Sequence, residues 1–507
     1  MLSRVLGLVR EQVFAFLFGA GLVTDAFQIA FRIPNLMRDI FAEGSMSSAL
    51  VPIYTKSRKE YGEAHAWGLV NKLITVLGIT ILAIAALGVF FAREIISLFP
   101  LEGSPEKFEL TVRLAQVMIP FLPTVMFAAI WMSLLNARSK FATPALAPAL
   151  FNVISIFAAF TLCPLLEKYG IEPIYGMAAG VVLGGLGQWL MQVPALRREG
   201  FRYRFDFAWK DPELARIAGY MGLGAIAMAA TQVNVLVNSF LALSQGDGPV
   251  SWLNYAFRLM QFPIGVFGVA IAQVTLTKVA AQAAASDLAD IRATVARSLR
   301  IAVAITLPSA VGLAAFGHPI ISVIYEHGQF TAADTRATAV ALACYAVGLT
   351  AYACNKVLVP VLYSLGRANL AVLSSLLAVA TNVLLCVLLV KPLGFAGLAL
   401  ATSIGAYVNL TTLVVWVSRG SGGLPWGNLL RGTAAVIASA AVMAVLLRVF
   451  WGYFAQDWEN YRLLTQLIIL GAGLSLGTGS YWFCIRTIGL SEARDIERVL
   501  LRKLKRK

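Results

Sequence analysis

Apolar runs long enough to cross a bilayer, each bounded by charge, glycine or proline, recur from one end of the chain to the other. A helix traversing about 30 Å of hydrocarbon needs roughly 20 residues. Fourteen stretches fit that length, at 1–20, 24–55, 69–98, 110–136, 143–166, 173–196, 213–244, 250–280, 296–325, 334–363, 368–391, 394–418, 428–450 and 462–488. The second is long and interrupted. The pattern predicts an all-α polytopic membrane protein of about 14 transmembrane helices.

Composition excludes the alternatives. With 59% apolar and 13% charged residues in 507, and a mean hydropathy of +0.76, there are too few ionic groups to cover a water-soluble surface of this size. The net charge of +15 reflects topology, because the basic residues fall in alternate loops and do not gather into one aromatic-interleaved patch as nucleic-acid binding would require. Lys56, Arg58 and Lys59 follow span two, Arg138 and Lys140 span four, and Arg197, Arg198, Arg202, Arg204 and Lys210 span six. Lys278 and Arg292, Arg367, Arg419 and the terminal basic run continue the series, while the opposite loops carry Glu106, Glu109, Asp247, Asp457 and Glu459. Positive-inside bias therefore predicts that both termini are cytoplasmic.

An internal repeat is visible. Ala30-Phe31-Arg32 with Pro34 is echoed by Ala256-Phe257-Arg258 with Pro263, Leu135-Asn136-Ala137-Arg138 by Ser364-Leu365-Gly366-Arg367, and Asn152-Val153 by Asn382-Val383. The order is kept and the offsets stay near-constant over six spans, which predicts two parallel, pseudo-symmetric six-helix lobes. The lobes are residues 1–200 and 211–420, followed by two extra spans over 428–488 and a basic amphipathic cytoplasmic tail over 489–507 that reads as an interfacial helix on anionic lipid.

Ionisable groups at membrane depth are expensive and mark functional sites. Arg4 and Arg10 lie in span one, Asp25, Arg32, Arg38, Asp39 and Glu43 in or beside span two, and Arg258 in span eight, with few buried acids in the second half to balance them. A cation exporter needs the reverse excess. Permanently charged, planar guanidiniums match phosphate oxygens, so the cluster points to a phosphate-bearing substrate. Pro34 and Pro263, at corresponding places in the two repeats, are expected to kink or break their helices, a recurrent feature of transporter binding sites.

No Walker loop, zinc-protease motif, nucleophile elbow or large outer loop is present, which disfavours an ATP-driven pump and a membrane glycosyltransferase. The five cysteines and three histidines are scattered without metal spacing, so no metal or cofactor is expected. The charges inside the opening apolar run argue against a cleavable signal peptide.

Ser3-Arg4-Val5-Leu6-Gly7 with Arg10, Gly19-Ala20-Gly21, Thr24-Asp25-Ala26-Phe27, Ile33-Pro34-Asn35, Arg38 and Phe41-Ala42-Glu43-Gly44 together resemble the opening signature of the MurJ (MviN) family of lipid II flippases, within the multidrug/oligosaccharidyl-lipid/polysaccharide exporter superfamily. Ser251-Trp252, Arg258-Leu259 and Pro263 to Gly268-Val269-Ala270 resemble that family's eighth span. The resemblance implies transport of the undecaprenyl-pyrophosphate-linked peptidoglycan precursor to the outer leaflet by alternating access. It implies that Arg4, Arg10, Arg38 and Arg258 hold the pyrophosphate and headgroup, that Asp25, paired with an arginine, and Glu43 serve gating, that the two extra spans form a groove for the lipid tail, and that the cell-wall synthesis machinery is a partner. Phe257 stands where many relatives carry an acid and Gln261 where some carry another, leaving Arg258 without those local partners. A flippase for another polyprenyl-linked oligosaccharide and a cation-coupled drug exporter are the alternative readings.

Overall fold

The computed structural model describes residues 2–41, 45–101, 104–285 and 287–489. Among these residues there is no strand. Glu43 and the tail beyond Gly489 lie outside the described residues.

The chain divides into two compact units, Met1–Ser251 with Gly328–Phe330, and Trp252–His327 with Thr331–Lys507. In the first, α1 (Leu2–Phe18) and α2 (Leu22–Phe41) precede α3 (Ser45–Phe90), a helix bent at Gly62 where the backbone leaves helical φ/ψ. A short α4 (Ala92–Ile96) leads to α5 (Pro105–Met118) and α6 (Phe121–Ala137), which together span the membrane. Then come α7 (Ala142–Lys168), α8 (Ile174–Leu190), the short α9 (Val193–Arg198) and α10 (Pro212–Leu243). Local sequence sets these starts: Pro105 and Pro212 occupy first-turn positions where no N–H is needed, and Asp211 caps α10 by accepting from Glu213 N at 2.8 Å. The core of the unit joins α3, α6, α9 and α10 through Leu50, Tyr54, Ile130, Leu134, Leu196 and Ile217.

The second unit holds most of α11 (Pro249–Pro263), then a π-helical turn over Ile264–Gly268, α12 (Val269–Ala284), α13 (Leu288–Ala315), α14 (Gly317–Tyr325) and α15 (Ala332–Ser364). α15 opens with a capping box between Thr331 and Asp334. α16 (Ala368–Ser421) covers two expected spans and is bent between them at Gly394. α17 (Trp426–Phe454) and α18 (Leu463–Thr487), the two spans left outside the repeat, dock on α13 and α14: Tyr481 Oη of α18 donates to Ala304 O at 2.6 Å, and Trp458 Nε1, in the turn joining the two spans, donates to Ser322 Oγ at 2.9 Å.

Ten helices among the described residues are long and apolar enough to cross a membrane, so the chain is a multi-pass membrane protein. Large apolar side chains such as Ile79, Leu82, Leu384 and Leu388 point outward, as a lipid-facing surface requires. α6 and α15 end alike: Lys140 N donates to Leu135 O and Ser139 N to Asn136 O, and Arg367 N donates to Leu362 O and Gly366 N to Tyr363 O, with Ser139 and Gly366 left-handed. These hydrogen bonds match Leu135 with Leu362, two residues away from the Ser364 that the sequence comparison aligned with it.

Candidate functional site

Arg10 sits half-buried at the middle of α1. Its Nη2 donates to the buried carboxylate of Glu11 at 2.6 Å, and its guanidinium lies 5.4 Å from the Phe151 ring centroid on α7. The α1–α7 contact that presents it is set by a buried asparagine: Asn152 Nδ2 donates to Ser3 O at 3.1 Å and to Pro148 O at 3.0 Å. Arg4, nearly two turns earlier, is exposed, and its side chain makes no hydrogen bond or ion pair among the described residues.

Arg38, in the last turn of α2, donates Nη2 and Nε to Asp39 Oδ1 at 2.8 and 3.2 Å. The other oxygen of Asp39 accepts from Asn35 Nδ2 and, across to α10, from the buried Gln232 Nε2, both at 3.3 Å. Each of these two arginines is thus oriented by its neighbouring acid, which fixes the direction of its planar donor set.

At the opposite end of α2 lies the most buried charge of the unit. Asp25 is fully buried and receives Lys107 Nζ at 3.1 Å, Gly248 N at 2.8 Å, Ser251 N at 2.9 Å and the Ser251 hydroxyl. The carboxylate therefore caps the beginning of α11, where unpaired N–H groups and the helix dipole favour negative charge. Lys107 is itself buried and also bonds Asp247 Oδ1 at 2.9 Å. The partner of Asp25 is this lysine and not an arginine. Lys107 was missed because it lies just ahead of an apolar run, in a loop read as acidic.

Arg258 is exposed on α11, in the second unit. Beside it Phe257 packs edge-on to Tyr345 with centroids 5.3 Å apart, and Gln261 is exposed. The two prolines differ. α2 runs through Pro34 as one helical element and does not break, whereas the α-helical pattern stops at Pro263 and continues as a π turn. The first unit also holds a cleft of about 750 Å³ lined by Glu106, Arg113, Glu167, Glu172 and Tyr175 among others; none of Arg4, Arg10 and Arg38 lines it. No cluster of metal-ligating side chains occurs among the described residues.

A family model described as lipid II flippase MurJ matches residues 14–469. A Vibrio cholerae protein described as a probable lipid II flippase MurJ is 33% identical, aligned over 97% of this chain and 94% of its own. The lipid II flippase MurJ of Burkholderia cenocepacia is 30% identical over 97% and 96%. Among solved structures, a lipid II flippase MurJ in an inward closed conformation superposes with a TM-score of 0.79 at 26% identity, covering 96% of this chain and 97% of that one. A multidrug resistance MATE family transporter in an inward-facing conformation, at 15% identity and a TM-score of 0.67 over 83% and 94%, shares the fold.

Proposed function

The chain belongs to the MurJ family of lipid II flippases, and we propose that Arg4, Arg10, Arg38 and Arg258 receive the pyrophosphate and headgroup of the precursor it carries. The protein is a lipid II flippase, a membrane transporter and not an enzyme. The observation that carries this reading is the likeness to lipid II flippases over nearly the full length of both chains. A drug exporter and a flippase for a different polyprenyl-linked sugar are not favoured by it.

The chemistry of the substrate fits the charge pattern. A diphosphate cannot enter hydrocarbon unescorted, and guanidiniums that stay ionised at any physiological pH replace its hydration with paired donors. The Arg10–Glu11 and Arg38–Asp39 pairs support this role, since each arginine is oriented before substrate arrives. The polyprenyl tail remains in oil, against a groove formed by residues 428–488. The lobes at 1–200 and 211–420 alternate access, with Asp25, held by Lys107, and Glu43 acting at the gates. Both termini face the cytoplasm across the inner membrane, the tail at 489–507 lies on anionic lipid, and the cell-wall synthesis machinery takes up the flipped precursor.

Depletion of the resident flippase in a bacterial host, with rescue by this chain, tests the assignment. The parent is expected to restore growth and lipid II translocation. Arg10→Ala and Arg38→Ala should fail, and Arg38→Lys should rescue only in part, because an ammonium lacks the paired donors. Full rescue by both alanine variants would remove these arginines from the substrate site.

A further inference from the structure

Between α9 and α10 the chain runs without regular structure through an alternating sequence. Phe201, Tyr203, Phe205, Phe207 and Trp209 are interleaved with Arg202, Arg204, Asp206 and Lys210. Where such a chain is extended, successive side chains point to opposite sides, and the alternation then separates aromatic groups from charged ones.

This segment is pinned to α3. Asn71 Oδ1 accepts from Arg204 N at 3.1 Å, Thr75 Oγ1 accepts from Asp206 N at 3.3 Å and bonds Tyr203 Oη at 3.0 Å, and Lys72 Nζ closes the end on Asp211 at 2.7 Å. At its start Phe201 is buried between Trp67 and Trp131, with centroids 5.3 and 5.6 Å away. Yet Phe205, Phe207 and Trp209 are 72%, 54% and 65% exposed. A pinned backbone that holds three large aromatics in the open needs something apolar to cover them. Thr75 marks the depth: one helical turn further along α3 the outward apolar face begins with Ile79 and Leu82. The aromatics therefore stand where amphipathic rings collect, at the boundary between hydrocarbon and headgroups.

The charges complement that placement. Arg197, Arg198, Arg202 and Arg204 are exposed, and none of their side chains has an ion pair among the described residues. Of the nearby acids, Glu199 is engaged by Arg138 and Lys140, and Asp211 by Lys72, which leaves Asp206 as the one acid within the segment against its three basic residues. Lys210 lies over the Trp209 ring at 5.3 Å.

We propose that residues 201–210 form an interfacial strap, its aromatic side seated at the acyl–headgroup boundary and its arginines binding the phosphates of anionic phospholipids, so that lipid fixes the depth of the α3 end of this unit. The proposal requires only that the chain crosses a membrane, not that the substrate arginines are correctly assigned.

The test uses the purified full chain in neutral detergent, with binding of phosphatidylglycerol, phosphatidylcholine and inorganic pyrophosphate read by native mass spectrometry. The parent should prefer phosphatidylglycerol. Arg202→Gln, Arg204→Gln and Lys210→Gln together should weaken that binding by about fivefold for each charge removed, pyrophosphate binding being unchanged. Equal phosphatidylglycerol affinity in parent and triple variant overturns the proposal, as does a loss confined to pyrophosphate or equal binding of the two lipids by the parent. A second reading leaves the strap's basic residues in place: spin labels at positions 205 and 206 of a cysteine-free chain in phosphatidylglycerol vesicles should meet oxygen at 205 and aqueous nickel at 206. Nickel access at both positions overturns the seating of the aromatic side.

Discussion

Lys107 Nζ stands 3.1 Å from Asp25 Oδ2 with both side chains buried, so each supplies the other's countercharge. Removing one member of such a pair strands the other in a dry site and costs about 3–5 kcal/mol. Lys107→Met is therefore expected to lower the stability of the full chain by that amount in a denaturant or thermal melt. The double variant Lys107→Met/Asp25→Asn should be less destabilised than the two single effects predict, since neither charge is then left alone. Strict additivity would mean that the two residues act independently. Lys107→Arg should retain most of the stability if charge is the requirement.

Arg138 gathers the loops at the other end of the same unit. At 12% side-chain exposure it donates to Glu199 Oε2 and Glu63 Oε2 at 2.8 Å and to Tyr54 Oη at 2.9 Å, while its guanidinium faces Trp67 at 5.1 Å. Three charge-assisted bonds and a ring contact converge on one planar group, so the chain ends of α6 and α9 and the bend of α3 depend on it together. Arg138→Ala should destabilise the protein by about 2–4 kcal/mol. Arg138→Lys should recover less than half of that loss, because a point charge cannot reach all three acceptors. The melting midpoints of the two variants in the same detergent check both statements.

The same cluster gives the protein an acid limit. The Arg138 hydrogen bond, opposed by burial and aided by Lys140, holds the Glu199 carboxyl below its ordinary value of 4.5. A depressed carboxylate contributes fully above the unfolded value, and its contribution is lost as the pH falls through the folded one. Stability should hold steady from neutral pH down to about 4.5 and decline below it, and Glu199→Gln should flatten part of that decline. Melts recorded between pH 3 and 7 on parent and variant decide the point.

The spans were legible because a bilayer imposes length and polarity on every crossing helix. The cationic character of α1 and α2 was equally plain. The partners were not. Arg10 with Glu11 and Arg38 with Asp39 are neighbours in sequence and could be read as pairs, but Lys107 reaches Asp25 across 82 positions, and Gln232 reaches Asp39 across 193. Such meetings are decided by which helices pack, and composition does not contain that. Pro34 shows the opposite limit: a residue with a strong local preference is absorbed into a continuous helix, as membrane helices allow when neighbours and side chains satisfy the freed backbone.

A backbone crossing near the end of α1 admits one more test. Gln329 N donates to Phe16 O at 3.0 Å, which brings the preceding residue, Gly328, against that carbonyl in a left-handed conformation with φ +64°. A Cβ there would lie 2.2 Å from Phe16 O and 2.8 Å from Phe16 Cδ2. Gly170 has a similar φ of +72° and nothing within 4 Å of its Cβ position. Conformational strain alone costs about 1–2 kcal/mol for a non-glycine residue in this region, so Gly170→Ala should lose only that. Gly328→Ala bears the same strain and must also push the loop off the helix end, breaking the Gln329 bond. Its loss should exceed that of Gly170→Ala by about 1–3 kcal/mol in parallel melts, that bond and the steric clash being the difference. Equal losses for the two variants would show that the loop retreats without penalty and that the contact with Phe16 contributes nothing to stability.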